Sequence, residues 1–275
     1  YPRLAALAEA VWSSKDNKNW NDFSNRVGSL FQRYGIMGVN YAKSVYQVTT
    51  ETTVNPESAV ISIALISEFP GSEIRYTLDG SNITTTSEKY TDPIEITKTT
   101  TLKAQVFKED RPAGALFEKT ITYHKAVGKP VTYLNKYHDS YQGAKELGMV
   151  NVVRGSKNFH DGQWQGWLGD DMELVIDMES PTEMEQVTVG ALENQGSGIY
   201  FPIQVEIFLS DDGKSYRSAG IVKREYTANN GSELKDFIIG LGKQTARYIK
   251  VKATNLGSPP SGGGSWMFID EVVVE

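Results

Sequence analysis

One adjacent Asp-Glu pair, Asp270-Glu271 in the closing run MFIDEVVVE, is the only such dipeptide in the chain. Two neighbouring carboxyl groups could divide the work of a proton donor and a positioning group in a hydrolysis. The run around them alternates like a strand, in which consecutive side chains point to opposite faces. That pattern predicts a structural fate for both rather than a shared catalytic one. Asp170-Asp171 and Asp211-Asp212 fall in turn-forming stretches and read as solvated turn residues. The three histidines, His124, His138 and His160, lack metal-ligand spacing and read as surface groups in connecting segments. With no cysteine in the chain, disulfides, thiolate metal sites and thiol nucleophiles are excluded.

Aromatic residues offer a second kind of chemistry. A ring can stack on the apolar face of a pyranose while polar groups fix its hydroxyls. Trp164 and Trp167 lie in WQGW, Tyr200 and Phe201 in SGIYFP, and Trp266 precedes the last strand. Core packing is the competing fate of each. Trp167 and Tyr200 stand open between the two.

These residues need a scaffold, and composition bounds it. The 275 residues carry 28 basic and 34 acidic side chains, a net charge of −6, and no basic run interleaved with aromatics, which excludes a nucleic-acid partner. No apolar run approaches the ~20 residues of a membrane span. Residues 1–45 read as a helical pair. The first helix opens at Pro2 and carries Leu4, Leu7, Val11 and Trp12 on one face; the second carries Trp20, Phe23, Val27, Leu30, Phe31 and Tyr34, with Gly35 placed to stop it. Leu4, Leu7, Val11, Trp20 and Phe31 are expected to form an exposed apolar stripe. Because the chain opens inside a finished helix, it is expected to be cut from a larger protein.

From Tyr46 the period falls to two. VISIAL, EIRYTL, PIEIT, TLKAQVF and EKTITY read as strands separated by turn signals at Pro70-Gly71 and Asp79-Gly80, predicting an antiparallel sandwich over 46–124. Lys125–Leu147 reads as a linker into a second all-β domain over 125–275. Its strands are ELVID, QVTVGAL, QVEIFLS, DFIIGL, RYIKVKAT and MFIDEVVVE, with a hairpin at Asp212-Gly213. SPPSGGGS at 258–265 has no helix after it and reads as a flexible loop, not a phosphate cradle.

Three segments carry a family resemblance. Pro2-Arg3, Ala6-Leu7-Ala8-Glu9, Trp12, Trp20, Phe23, Arg26 and Gly38-Val39-Asn40-Tyr41-Ala42 resemble the end of the catalytic barrel of family 20 glycoside hydrolases, the β-N-acetylhexosaminidases. RYTLDGSNITTTSEKYTDPIEITKTTTLKAQVF resembles the small β-sandwich that follows that barrel in chitobiase-like enzymes. GMVNVVRGSKNFHDGQWQGWLGDDMELVIDM, VEIFLSDDGKSY and WMFIDEVVV resemble discoidin-type domains, the coagulation factor V/VIII C-type fold that includes family 32 carbohydrate-binding modules.

The resemblance implies a mainly β chain: a helical remnant of a (β/α)8 barrel over 1–45, an Ig-like sandwich over 46–124 and a discoidin-like jelly roll over 125–275. It implies the C-terminal part of a secreted or periplasmic bacterial β-N-acetylhexosaminidase, itself non-catalytic because the barrel and its carboxylate pair are missing. Its partners would be that barrel and glycans ending in a hexose or N-acetylhexosamine. Trp167, Tyr200, Trp266, His160, Asn194 and Arg154 are the sugar-binding candidates, and Trp164 aligns with a position that packs beneath the early loop. Discoidin-type modules also hold a structural calcium, for which Asn151 and Glu271 are the side chains implied. Here Asn151-Val152 stands where the family carries Asp-Gly, and Pro259-Pro260-Ser261 where relatives carry an aromatic and a His. The first change weakens the calcium site and the second bears on sugar binding. The competing expectation is a structural domain that packs on the barrel and binds no sugar.

Overall fold

The computed structural model describes residues 2–69, 71–260 and 262–275. Pro70 of the expected Pro70-Gly71 turn, Ser261 and the side chain of Pro2 lie outside the described residues. Two helices come first, α1 (Pro2–Trp12) and α2 (Trp20–Ile36). Asn19 caps α2 by accepting the Asp22 backbone N–H at 3.0 Å. Gly35 does not stop the helix, which runs on to Ile36; the left-handed residue just past its end is Gly38, at φ 66°. Leu4, Leu7, Val11 and Trp20 are exposed as the pattern predicts, and Leu4 borders a groove of about 700 Å³ between the helices together with Trp12, Phe23 and Leu30. Phe31 departs from that stripe. It is buried, stacked on Tyr41 at 4.6 Å and edge-on to Tyr46 at 6.0 Å.

Seven strands follow: β1 (Val48–Asn55), β2 (Val60–Ser67), β3 (Glu73–Thr77), β4 (Glu88–Lys89), β5 (Ile94–Ile96), β6 (Thr100–Lys108) and β7 (Arg111–Ile121). They form sheets of order β1-β2-β5 and β4-β3-β6-β7. Alternation does the work: Ile61, Ile63 and Leu65 of β2 and Leu102, Ala104 and Val106 of β6 are buried at every second position. Strand β1 escapes a hydrophobicity reading because VTTETTVN alternates Thr with Glu and Val and buries only Val48 fully. Asp79-Gly80 does not close a tight hairpin. It lies in a long loop in which Asp79 Oδ1 accepts the Ser81 N–H at 2.9 Å, and β3 pairs instead with Glu88–Lys89.

The remaining strands are β8 (Val131–Asn135), β9 (Gln165–Leu168), β10 (Met172–Asn194), β11 (Gln204–Ser210), β12 (Arg217–Lys223), β13 (Ser232–Thr254) and β14 (Trp266–Val274). The stretch read as a linker thus contains a strand, and Ala126, Tyr137 and Met149 enter the core. ELVID and QVTVGAL belong to one 23-residue strand, β10, and DFIIGL and RYIKVKAT to another, β13. The two pair along their length, but the register shifts between Asp177 and Thr182 and again between Met184 and Gln186. These irregularities bend both strands, so each serves two layers. The first halves of β10 and last half of β13 join β8, β11 and β12; the other halves join β14 and β9. Leu174, Ile176, Val187, Val189, Ile207, Ile249, Val251 and Ile269 fill the space between.

By compactness the chain divides into two units, Tyr1–Glu51 with Ile63–Ile94 and Thr100–Thr120, and Thr52–Ser62 with Glu95–Thr99 and Ile121–Glu275. No helix of the described residues is long and apolar enough to cross a membrane.

The Asp212-Gly213 hairpin forms as its sequence predicts. Asp212 Oδ1 accepts the backbone N–H groups of Lys214 and Ser215, both at 2.8 Å, and the Ser210 hydroxyl at 2.9 Å. Hydrogen bonds to the ionised form pull its carboxyl down to about 2. An unfolded Asp titrates near ~3.9, so between those values the unfolded chain binds more protons and stability falls with falling pH. A carboxyl-detected NMR titration is expected to find the Asp212 midpoint near 2, and Asp212→Asn to remove that share of the acid dependence.

Candidate functional site

Three connecting segments of the terminal unit bring their aromatic side chains to one place. The first, before β9, is tied to that strand: His138 N–H donates to Gly166 O at 2.7 Å and Gly166 N–H donates to Tyr141 O at 3.1 Å. Gly166 permits this approach, because a Cβ there would lie 2.6 Å from the Phe268 ring. The second is the loop after Gly155. Asp161 Oδ2 accepts Ser156 N–H at 2.6 Å, its Oδ1 accepts Gln163 N–H at 3.0 Å, and Trp164 Nε1–H donates to Ser156 O at 3.0 Å. The third leads into β14, where Trp266 N–H donates to Gly198 O at 2.9 Å.

The outcome is a cluster of Tyr141, Phe159 and Trp266, each partly exposed, over a floor of buried Phe268. Tyr141 meets Trp266 edge-on at 5.1 Å and Phe268 at 4.5 Å. His138 and His160, both exposed, flank it: His138 stands edge-on to Trp266 at 5.1 Å and His160 lies 4.1 Å from Phe159. Rings with open faces can cover the apolar side of a sugar, and imidazole, phenol and indole groups supply hydrogen-bond donors and acceptors beside them.

Of the expected sugar contacts, the structure brings Trp266 and His160 to this cluster. Trp167 is 1% exposed and Tyr200 3%, so neither offers a ring face to a ligand; both are corrected to core. Trp167 sits between the layers and donates its Nε1–H to Asn135 O at 3.0 Å. Trp164 is buried as expected, against Gly155, where a Cβ would collide with its indole. Asn194 is likewise structural: its Oδ1 accepts the Ser197 N–H at 3.2 Å and caps the turn at Gln195–Ser197. His138, Tyr141 and Phe159 were missed. The signal for His138 and Tyr141 is the run Tyr137-His138-Asp139-Ser140-Tyr141, too aromatic for a linker.

Arg154 serves the buried acids and not the cluster. Its Nε donates to Asp270 Oδ2 at 2.9 Å and its Nη2 to Asp236 Oδ1 at 2.5 Å, while Gly155 N–H also reaches Asp270 Oδ2 at 2.9 Å. Asp270 falls at a register shift, since Gly190 pairs with Glu271 and Ala191 with Ile269. The bulge explains how two adjacent carboxyl groups both become buried in one strand. Gly190 makes room, because a Cβ there would collide with both Arg154 and Asp270. Burial pushes the Asp270 carboxyl up and Arg154 opposes it; burial pushes Glu271 up as well. His124, expected at the surface, is buried against Glu271, and burial holds its pKa down to about 4. Among the described residues no three His, Asp or Glu side chains gather as a metal site.

Both units are built mainly of antiparallel β-sheet, and one segment of the chain has a match in sequence. Residues 46–118 match the family described as chitobiase/beta-hexosaminidase C-terminal domain. A beta-hexosaminidase of Porphyromonas gingivalis is 31% identical over 106 residues, which are 38% of this chain and 13% of that protein. The matched segment thus spans about an eighth of the relative's length. Among solved structures, the C-terminal domain of a chitobiase from Bacteroides fragilis is 18% identical at a TM-score of 0.30, over 53% of this chain and 93% of that one. A chitosan-binding module from a Paenibacillus chitosanase/glucanase is 17% identical at a TM-score of 0.36, over 56% and 98%.

The asymmetry of the Arg154 pairs yields a prediction. Arg154→Ala leaves Asp270 buried without its cation and is expected to cost about 3 kcal/mol in urea unfolding. Asp236→Ala removes a partner that is 45% exposed and is expected to cost under ~1 kcal/mol.

Proposed function

We propose that the terminal unit holds the end of a glycan, a terminal hexose or N-acetylhexosamine, on the surface formed by Tyr141, Phe159 and Trp266. It does so as a non-catalytic part of a β-N-acetylhexosaminidase of the bacterial cell envelope or its surroundings. The observation that carries the binding reading is the meeting of three partly exposed rings from three separate segments, with two exposed imidazoles at their edge. The hexosaminidase setting is supported by the match over 46–118 and by the P. gingivalis relative. The one Asp-Glu pair supports a role without catalysis here, since both carboxyl groups are buried and tied to Arg154 and His124.

In this reading Trp266 and Tyr141 present faces to the apolar side of the sugar, and His138 and His160 address its hydroxyls.

Titration of the full chain with N-acetylglucosamine and with galactose, followed by 15N NMR, tests the proposal. Shifts at the Trp266 indole N–H and at Tyr141 and His160 are expected at millimolar sugar. Trp266→Ala is expected to weaken binding roughly tenfold, equivalent to about 1.4 kcal/mol, while Asn194→Ala leaves it unchanged. A cluster that stays silent to both sugars leaves the structural role as the better account.

A further inference from the structure

Glu271 and Asn151 are the side chains that an implied calcium would use, and this chain has already committed both. The Glu271 side chain is fully enclosed, with Oε1 3.0 Å from His124 Nε2, itself fully enclosed. The Val274 backbone N–H donates to His124 Nδ1 at 3.4 Å, which places the ring proton on Nε2 and makes His124 a donor to the carboxyl group. Asn151 Oδ1 accepts the Val153 N–H at 2.8 Å and so closes a turn on its own backbone.

The polarity of the early loop points the same way. Burial and the neighbouring Asp270 push the Glu271 carboxyl up, and the backbone N–H groups of Val152 and Asn151 partly oppose this. Amide hydrogens turned toward a site suit an anion, whereas calcium requires six to eight oxygen ligands. Val152 holds φ 61°, a left-handed conformation that a β-branched residue adopts only under constraint from its surroundings. At this pair of acids Glu271 Oε2 and Asp270 Oδ1 lack a partner in hydrogen-bonding geometry among the described residues. Two uncommitted carboxyl oxygens on adjacent residues fall far short of six to eight oxygen ligands, so the residues present do not fit the implied ion.

We propose that His124 performs within the chain the task of a structural cation: its Nε2–H fixes Glu271, and the terminal unit folds and keeps its early loop without calcium. The staple joins the segment entering this sandwich to its closing strand, β14, and the neighbouring bond from Lys125 N–H to Val274 O at 2.9 Å reinforces it.

Thermal unfolding of the full chain in EDTA and in millimolar calcium chloride decides the matter without any substitution. The two midpoints are expected to coincide. A calcium site present at a hundredfold excess over its dissociation constant would instead separate them by roughly 5–10 °C, and such a separation overturns the proposal. His124→Ala is expected to lower the midpoint by several degrees with no recovery in calcium. Glu271→Gln keeps an oxygen for the His124 N–H and is expected to lose less than Glu271→Ala. Equal losses from those two substitutions would show that the charge, and not the hydrogen bond, is what the site requires, and would also overturn the proposal.

Discussion

Two adjacent carboxyl groups buried in the penultimate strand of a sheet impose the constraint on which the terminal sandwich depends. An isolated buried carboxylate is too costly to tolerate, so each must find a partner supplied from elsewhere in the chain. Asp270 recruits Arg154 and the Gly155 N–H; Glu271 recruits His124. Those demands fix the path of the early loop, forbid a side chain at position 190 and require the bulge in β14. Gly155 must also be bare so that Trp164 can close over it.

The aromatic cluster is a downstream product of the same arrangement. Trp164 holds the loop that carries Phe159 and His160, and β14 delivers Trp266 at its first residue and Phe268 two positions on. Tyr141 reaches the cluster because its segment is bonded to β9, the strand beside β14. The buried acids therefore set a rigid frame, and the exposed rings are displayed on it. A surface built in this way offers preorganised ring faces rather than a deep cavity.

Strand identity was legible in the residues wherever apolar side chains alternate, as in VISIAL and TLKAQVF. It failed where the alternation was of Thr with Glu in β1, because a half-exposed strand need not look hydrophobic. Strand length was not legible in β10 and β13: ESPTEMEQ looks like a turn, yet the chain bends there without leaving the sheet. The site divided in the same way. Residue type could nominate Trp266 and His160, but only the fold could show that Trp167 lies between the layers while Tyr141 is partly exposed in the cluster. His124 shows the sharpest limit, since its burial depends on Glu271, 147 positions further along the chain.

One further consequence follows from where the terminal sandwich begins and ends. Lys125 and Val274 are joined by a backbone hydrogen bond, so the strand that closes the sandwich finishes beside the segment that opens it. Where two ends of a sandwich meet, chain can be joined to them at one place without stretching anything between.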